Sequence, residues 1–336
     1  MDKKIAVVIL NWNGAKLLEQ FLPSVVTYSN EATVYVVDNA STDNSIAVIK
    51  EQFPSVKIIQ NAANYGFADG YNIALQTVEE PYYALVNSDI EVTKNWLAPI
   101  LSILDNEPNI GIIQPKILDY KNKEYFEYAG AAGGFIDKYG YPFCRGRIFQ
   151  TLEKDSHQYD DEKEIFWASG ACFFIRKEVY RKLKGFDADF FAHQEEIDLC
   201  WRAFNLGYSA KYTGKSVVYH VGGATLNQAN PKKTFLNFRN SLLMLVKNLP
   251  KRKLFPILFM RLVLDGIAGI QFIFQGKFSH CFAILKAHFY FYHLIAINLK
   301  KRGASQKEDY YQTKSIVYDY FIKRQTLFKK KLNNTL

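Results

Sequence analysis

The chain has 336 residues, 49% of them apolar, with a formal net charge of +9. That is enough for one substantial α/β core and an appendage. The charge is uneven: from Lys247 onward 17 Lys+Arg stand against 4 Asp+Glu, a net +13, and the first 246 residues carry −4. A mildly acidic body with a basic, aromatic-rich tail is not a nucleic-acid footprint and fits a catalytic body with a surface anchor.

Ile5–Leu10 is a short β-branched run before the turn signal Asn11-Trp12-Asn13-Gly14. It is too short for the apolar core of a signal peptide and predicts a first strand, so any catalysis is expected on the cytoplasmic side. Ala15–Tyr28 carries Leu17, Leu18, Phe21, Leu22 and Val25 at helical spacing. Val34–Val37 predicts a second buried strand, and Ser41-Thr42-Asp43 supplies N-cap chemistry for a helix over Ser45–Phe53. Val56–Gln60 predicts a third strand, Asn64-Tyr65-Gly66-Phe67 a turn into a helix ending near Val78, and Tyr82–Val86 a fourth strand. This alternation predicts a mostly parallel, doubly wound α/β sheet.

Ile110–Ile117 extends the sheet. Between Asp119 and Ile165 glycines, tyrosines and charges interrupt any periodicity, which reads as a loop insertion and candidate lid. Phe166–Ile175 is an apolar run broken at Ser169-Gly170, Arg176–Leu183 and Ile197–Leu206 predict helices, and Ser209–Tyr212 and Ser216–Tyr219 predict two short strands. Cys144, Cys172, Cys200 and Cys281 are widely spaced without a CxxC pair, so reduced thiols are expected in place of a zinc or disulfide framework.

Strand ends of an open α/β sheet are where ligands bind. Asn87-Ser88-Asp89 follows the fourth strand, and a carboxylate there can hold Mg²⁺ or Mn²⁺, although the triplet also suits an Asx turn. Asp38 ends the second strand and can accept from a base or ribose, or serve as a turn residue. The Gly66/Gly70/Asn72 segment resembles a phosphate-cradling turn, but there is neither GxGxxG after the first strand nor GxxxxGK[ST]. Glu195-Glu196-Ile197-Asp198 opens a helix. The helix dipole and an i,i+4 pair with Arg202 account for Asp198 but not for His193 and the two carboxylates upstream, and a carboxylate at such a helix end is a candidate general base. His220 stands at a strand end before Gly222-Gly223, as a structural histidine or a ligand.

In order, Val8-Ile9-Leu10-Asn11-Trp12-Asn13-Gly14, Val36-Val37-Asp38-Asn39-Ala40-Ser41-Thr42-Asp43, Asn64-Tyr65-Gly66-Phe67-Ala68, Asn87-Ser88-Asp89, Trp167-Ala168-Ser169-Gly170-Ala171, Glu195 to Arg202 and His220 resemble the family 2 glycosyltransferases. The likeness is to the inverting GT-A type and its rhamnosyltransferase-like bacterial branch. It implies a Rossmann-like GT-A domain over residues 1–246 and a nucleotide-diphospho-sugar donor, UDP- or dTDP-linked. Asn11 and Asp38 would hold base and ribose, with Asn64, Gly66, Asn72 and Asn87 as further donor contacts. Asp89 would bind Mg²⁺ or Mn²⁺, with His220 as a further ligand. The family's base motif reads Glu-Asp where this chain has Glu195-Glu196; alignment on Ile197-Asp198-Leu199 gives Glu196 the base position, with Glu195 as fallback. Two readings stay open: an inverting transferase of cell-surface glycan assembly, or a non-catalytic nucleotide-sugar-binding scaffold at the membrane.

The tail, 247–336, predicts helices over Leu254–Phe274 and Cys281–Leu299. Arg261 and Asp265 near the middle of the first, and Lys286, His288 and His293 in the second, argue for in-plane or docked helices over clean spans. Lys251-Arg252-Lys253, Lys300-Lys301-Arg302 and Lys329-Lys330-Lys331 suit an anionic cytoplasmic leaflet. A lipid-linked or glycan acceptor would bring the enzyme to that inner face as a peripheral protein.

Overall fold

Four parallel strands carry the site. A computed structural model describes residues 3–222 and 230–328, so Gly223 and Lys329-Lys330-Lys331 lie outside it. In chain order come β1 (Ile5–Asn11), α1 (Ala15–Tyr28), β2 (Ala32–Asp38), α2 (Ser45–Gln52), β3 (Lys57–Gln60), α3 (Gly66–Ala74) and β4 (Tyr82–Asn87). β1 and β2 are apolar on both faces, as strands covered by helices on each side must be. β1 pairs in parallel with β2 and β4, with Asn11 opposite Asp38 and Leu10 opposite Asn87. The polar residue ending each strand therefore emerges at one level.

β5 (Ile90–Val92), α4 (Ala98–Asn106) and β6 (Ile110–Asp119) follow. Residues 119–165 are not a loose lid. They form a small antiparallel sheet of β7 (Gly134–Ile136), β8 (Pro142–Cys144), β9 (Arg147–Ile148) and β10 (Thr151–Leu152), then β11 (Glu162–Ile165) at the edge of the main sheet. Phe135, Ile136, Phe143 and Ile148 from it are buried in the main core. The strands are only two or three residues long, too short for alternation to show in the sequence.

β12 (Cys172–Arg176), α5 (Lys177–Lys182), α6 (Glu195–Asn205) and β13 (Ser209–His220) complete the body. β13 is one strand in place of the two expected, with a register shift between Thr213 and Val217 that accommodates Gly214. The main sheet runs β11-β13-β6-β12-β4-β1-β2-β3, with β12 antiparallel to both neighbours. The cysteines are unpaired; Cys144, Cys172 and Cys200 are buried and Cys281 is partly exposed.

α7 (Pro231–Asn248) opens with Asn230 capping Lys232 N and Pro231 in the first turn. α8 (Lys251–Phe274), α9 (Phe278–Lys300) and α10 (Ile316–Phe321) follow. The expected domain limit at 246/247 falls inside α7, whose Lys247 and Asn248 are buried in the body. Arg261 and Asp265 face inward: Arg261 Nε donates to Asp265 at 3.1 Å and Nη2 to Ser241 Oγ of α7 at 2.8 Å. The opposite face is bare, with Phe255, Phe259, Ile267, Ile270 and Phe274 on α8 and Phe278, Phe282, Leu285 and Phe289 on α9 all exposed.

Candidate active site

The carboxyl edge of β1 and β2 is a web of short polar side chains. Asn11 Nδ2 donates to Asp38 Oδ1 at 3.3 Å and Ser41 Oγ at 3.2 Å, and Asp38 Oδ2 accepts from Ser41 N at 3.0 Å. Asn11 Oδ1 is buried without a partner among the described residues. Asn39 Nδ2 donates to Asn64 Oδ1 and to Gly66 O, both at 3.0 Å, holding the turn into α3. Gly66 has φ +72°, and a Cβ there would press on the Phe191 ring, so glycine alone suits the turn.

Asn72 is placed otherwise. Its Nδ2 donates to Asp69 and to Phe186 O, and its Oδ1 accepts from Tyr180 Oη and Phe186 N. Both donors and both lone pairs are used. It fastens α3 to the chain after α5 and has nothing left for a nucleotide, which corrects the expectation.

Asp89 precedes Ile90, which pairs with His220 where β5 meets the end of β13. That pairing sets Asp89 Oδ1 3.1 Å from His220 Nε2, with Asn87 Nδ2 3.5 Å from the same nitrogen. Glu127 Oε1 lies 3.3 Å from His220 Nδ1, at an angle that leaves this nitrogen without an aligned hydrogen bond. Burial would push the imidazole down, but the hydrogen bonds and charges of Asp89 and Glu127 outweigh it and push it up to about 10. Among the described residues no three His, Cys, Asp or Glu side chains form a complete metal cage. Asp89 and His220 meet as a buried ion pair at 3.1 Å, at the sheet edge that also carries Asn87.

The third group lies at the start of α6. Glu195 is buried and Glu196 half-buried, its carboxyl carbon 3.7 Å from where a Cβ on Gly170 would stand, beside Phe67. Each carboxylate has one buried oxygen, and His193 Nε2 and Gln194 Oε1 are likewise buried, without a partner among the described residues. Burial pushes both carboxyls up, Glu196 to about 7 against the pull of backbone N–H groups, and Glu195 further under the Glu196 charge. Burial, then Lys233, push His193 down to about 4, so its ring is neutral. The turn before α6 is strained, with φ of 61°, 69° and 74° at Phe191, His193 and Gln194. Asn240 of α7 holds it, donating to the carbonyls of Phe190, Ala192 and His193 at 2.9, 2.9 and 2.7 Å.

The sequence model of glycosyl transferase family 2 matches residues 6–184, more than half of the chain. The chain belongs to that family. Its enzymes move a sugar from a nucleotide sugar to an acceptor in cell-surface biosynthesis. The chain is 23% identical over 236 residues to the N-acetylglucosaminyl-diphospho-decaprenol L-rhamnosyltransferase of Mycobacterium tuberculosis, covering 66% of this chain and 76% of that protein. Its fold is similar to GalNAc-T7, crystallised with UDP, GalNAc and Mn²⁺ (TM-score 0.57, 18% identity), over 73% of this chain and 48% of that one. It is also similar to the mannosyltransferase PcManGT of Pyrobaculum calidifontis, in complex with GDP-Man and Mn²⁺ (TM-score 0.53, 14% identity), over 86% and 87%. The GT-A architecture with C-terminal helices is thereby established.

For a family 2 glycosyltransferase, four residues important to this site were not picked out from the sequence as site residues. Asn39 orients Asn64, Glu127 backs His220, Asn240 clamps the turn before α6, and Lys247 meets Asp198 at 2.8 Å. Asn39 stood in the Asp38-Asn39 motif and could have been found there. The other three lie in stretches whose neighbours in space are far away in the chain.

Proposed function

We propose that this glycosyltransferase is an inverting, metal-dependent enzyme that takes a hexosyl or deoxyhexosyl group from a UDP- or dTDP-linked donor to a hydroxyl of a lipid-linked or glycan acceptor. The observation that carries the reading is the meeting of Asp89 and His220 at the sheet edge that also bears Asn11, Asp38 and Asn87. Asn11, with its unpartnered Oδ1, and Asp38 would hold base and ribose, and Asn64 and Gly66 would border the donor. Asp89 and His220 would hold Mg²⁺ or Mn²⁺. A divalent cation there neutralises charge on the leaving diphosphate. Glu196 accepts the proton of the acceptor hydroxyl as its oxygen bonds to the anomeric carbon and the bond from that carbon to the diphosphate breaks, on the opposite face. Glu195, more buried and with its carboxyl also raised by burial and the Glu196 charge, would stand behind it.

The α8–α9 face suits a lipid surface. Each helix is apolar on both sides, one facing the body and the other water, and Lys251, Arg252, Lys277 and Lys300 stand exposed along and beside it. Both helices are long and apolar enough to cross a membrane, but their inner faces are committed to α7 and to each other. In-plane seating on an anionic cytoplasmic leaflet would satisfy the outer faces and bring the crevice to a lipid-borne acceptor.

A thermal-shift titration with UDP, dTDP and GDP, each with and without Mn²⁺, tests the donor site on the wild type and Asp89→Ala. Metal-dependent stabilisation by one nucleotide, lost in the variant, is expected. No response to any nucleotide would sink the reading.

A further inference from the structure

Four arginines are buried among the described residues, and three have evident partners. Arg145 pairs with Asp161, Arg176 donates to the carbonyls of Leu104, Glu107 and Ile110 around the end of α4, and Arg261 pairs with Asp265. The fourth is Arg147 on β9, only 9% exposed. Its Nη1 donates to Phe149 O at 3.2 Å, and its Nη2 approaches Cys144 Sγ at 3.7 Å. Its Nε is buried with no partner among the described residues, where it also forms no ion pair with a carboxylate. Buried charges are ordinarily paired, because the lost hydration must be replaced. Arg147 has no direct ion pair among the described residues, and the Glu127 carboxylate acts on it only at longer range.

Its position says which anion would pair with it. The guanidinium carbon lies 4.3 Å from the centre of the Tyr128 ring, a cation–π contact. Tyr128 follows Glu127, which touches His220 of the Asp89 pair. On the other side, Cys144 pairs with Gly134, which bridges to Trp167, and the chain from Trp167 reaches Gly170 beside Glu196. A second cation, Lys233 in the first turn of α7, lies within electrostatic reach of both Arg147 and Glu127.

We infer that Arg147 forms a subsite for a substrate phosphate between the Asp89–His220 pair and Glu196. Guanidinium is suited to this, since its planar fork matches two phosphate oxygens. The inference rests on the glycosyltransferase reading of the crevice. The phosphate has two possible sources: the donor's diphosphate, or a diphosphate joining the acceptor to its lipid.

The test measures binding to the full chain as wild type, Arg147→Gln and Arg147→Lys, in the presence of Mn²⁺. The probes are UDP or dTDP, whichever stabilises the wild type, and a C15 prenyl diphosphate with its prenol as control. Arg147→Gln is expected to weaken one diphosphate about tenfold or more, with Arg147→Lys intermediate. Loss confined to the nucleotide assigns the donor's phosphate. Loss confined to the prenyl diphosphate, with prenol unchanged, assigns the acceptor's. If both probes bind the variants as they bind the wild type, the subsite is wrong, while nucleotide binding lost in Asp89→Ala would leave the donor site standing. Should the variants fail to fold, wild-type co-crystals with each diphosphate decide: a phosphate oxygen hydrogen-bonded to Arg147 supports the subsite, and none in either overturns it.

Discussion

Lys247 Nζ lies 2.8 Å from Asp198 Oδ2, joining the residue where the basic tail begins to the first turn of α6. The same ammonium is 2.6 Å from Asp187, and Asn248 Nδ2 donates to the other Asp198 oxygen at 2.9 Å. Asp198 is fully buried, and the tail supplies most of what offsets its desolvation, together with Arg202 at 2.7 Å. The helical segment is therefore part of the catalytic body's structure and not an appendage to it.

Lys247→Met should destabilise the protein by about 3–5 kcal/mol, because it leaves a buried carboxylate short of its cation. Urea unfolding followed by fluorescence would measure this. Burial raises the Asp187 carboxyl, but Lys247 and Lys301 outweigh it and bring it down to about 2. Its stabilisation is complete above its unfolded pKa of 3.8 and disappears as pH falls through about 2. In Lys247→Met that acid loss should begin at higher pH. Unchanged stability would mean Arg202 and Asn248 suffice.

Asn240→Ala removes one amide from three carbonyls around a turn with three left-handed residues. Glu196 directly follows that turn, so the expected result is a fall in kcat of about 10- to 100-fold with the donor KM nearly unchanged. Steady-state kinetics at saturating acceptor would show it. A rise in donor KM without loss of kcat would place the clamp's effect elsewhere.

How far the sequence discloses this site depends on how local each part is. Asn11, Asp38, Asn87 and Asp89 each end or follow an apolar run, so position on the sheet edge can be read directly from the pattern. His220 could be placed at a strand end, but its contact with Asp89 depends on β5 folding against β13, which three residues of strand do not advertise. Asn72 misled because an asparagine near glycines looks the same whether it faces a ligand or Phe186. The small sheet of β7–β10 was hidden by the brevity of its strands, and with it Arg147. Arg261 and Asp265 show the opposite: two charges in mid-helix argued against a clean span, and they prove to be an i,i+4 pair on the inward seam of α8.

The pH profile tests Glu196 as the proposed base. Glu196 must be ionised to accept a proton, and burial raises its carboxyl to about 7 from an ordinary 4.5. Activity should therefore fall as pH drops below about 7, where an ordinary glutamate would hold activity to between pH 4 and 5. Glu196→Gln should remove turnover at every pH while leaving metal-dependent nucleotide binding intact. An acid limb near pH 4.5, or near-normal turnover in Glu196→Gln, would rule out this assignment.

Asp89→Ala and His220→Ala separate the two proposed ligands. Removing Asp89 deletes the oxygen ligand and should abolish Mn²⁺-dependent stabilisation by the nucleotide. Removing His220 keeps that carboxylate and should weaken the metal's effect about 10- to 100-fold without abolishing it. Isothermal titration of Mn²⁺ in the presence of the nucleotide diphosphate distinguishes them. Equal, small effects would mean the pair is a structural ion pair only.

The outward face of α8 and α9 is predicted to hold the protein on anionic bilayers. Phe255, at 80% exposed, Phe259 and Phe282 make their large contacts with water, so changing all three to serine should alter stability little. Each phenylalanine buried in an interface contributes about 1.5–3 kcal/mol, so the triple variant should lose sedimentation with phosphatidylglycerol vesicles by well over about tenfold. The exposed lysines and Arg252 add attraction that salt screens, so wild-type binding should weaken as NaCl rises, and the variant's residual binding should vanish. Activity on a soluble acceptor analogue should stay near normal in the variant, while activity on a vesicle-borne acceptor falls. If the serine variant still sediments with vesicles as the wild type does, the apolar face belongs to another partner, and a second copy of the chain, detected as a dimer by sedimentation velocity, becomes the occupant to test.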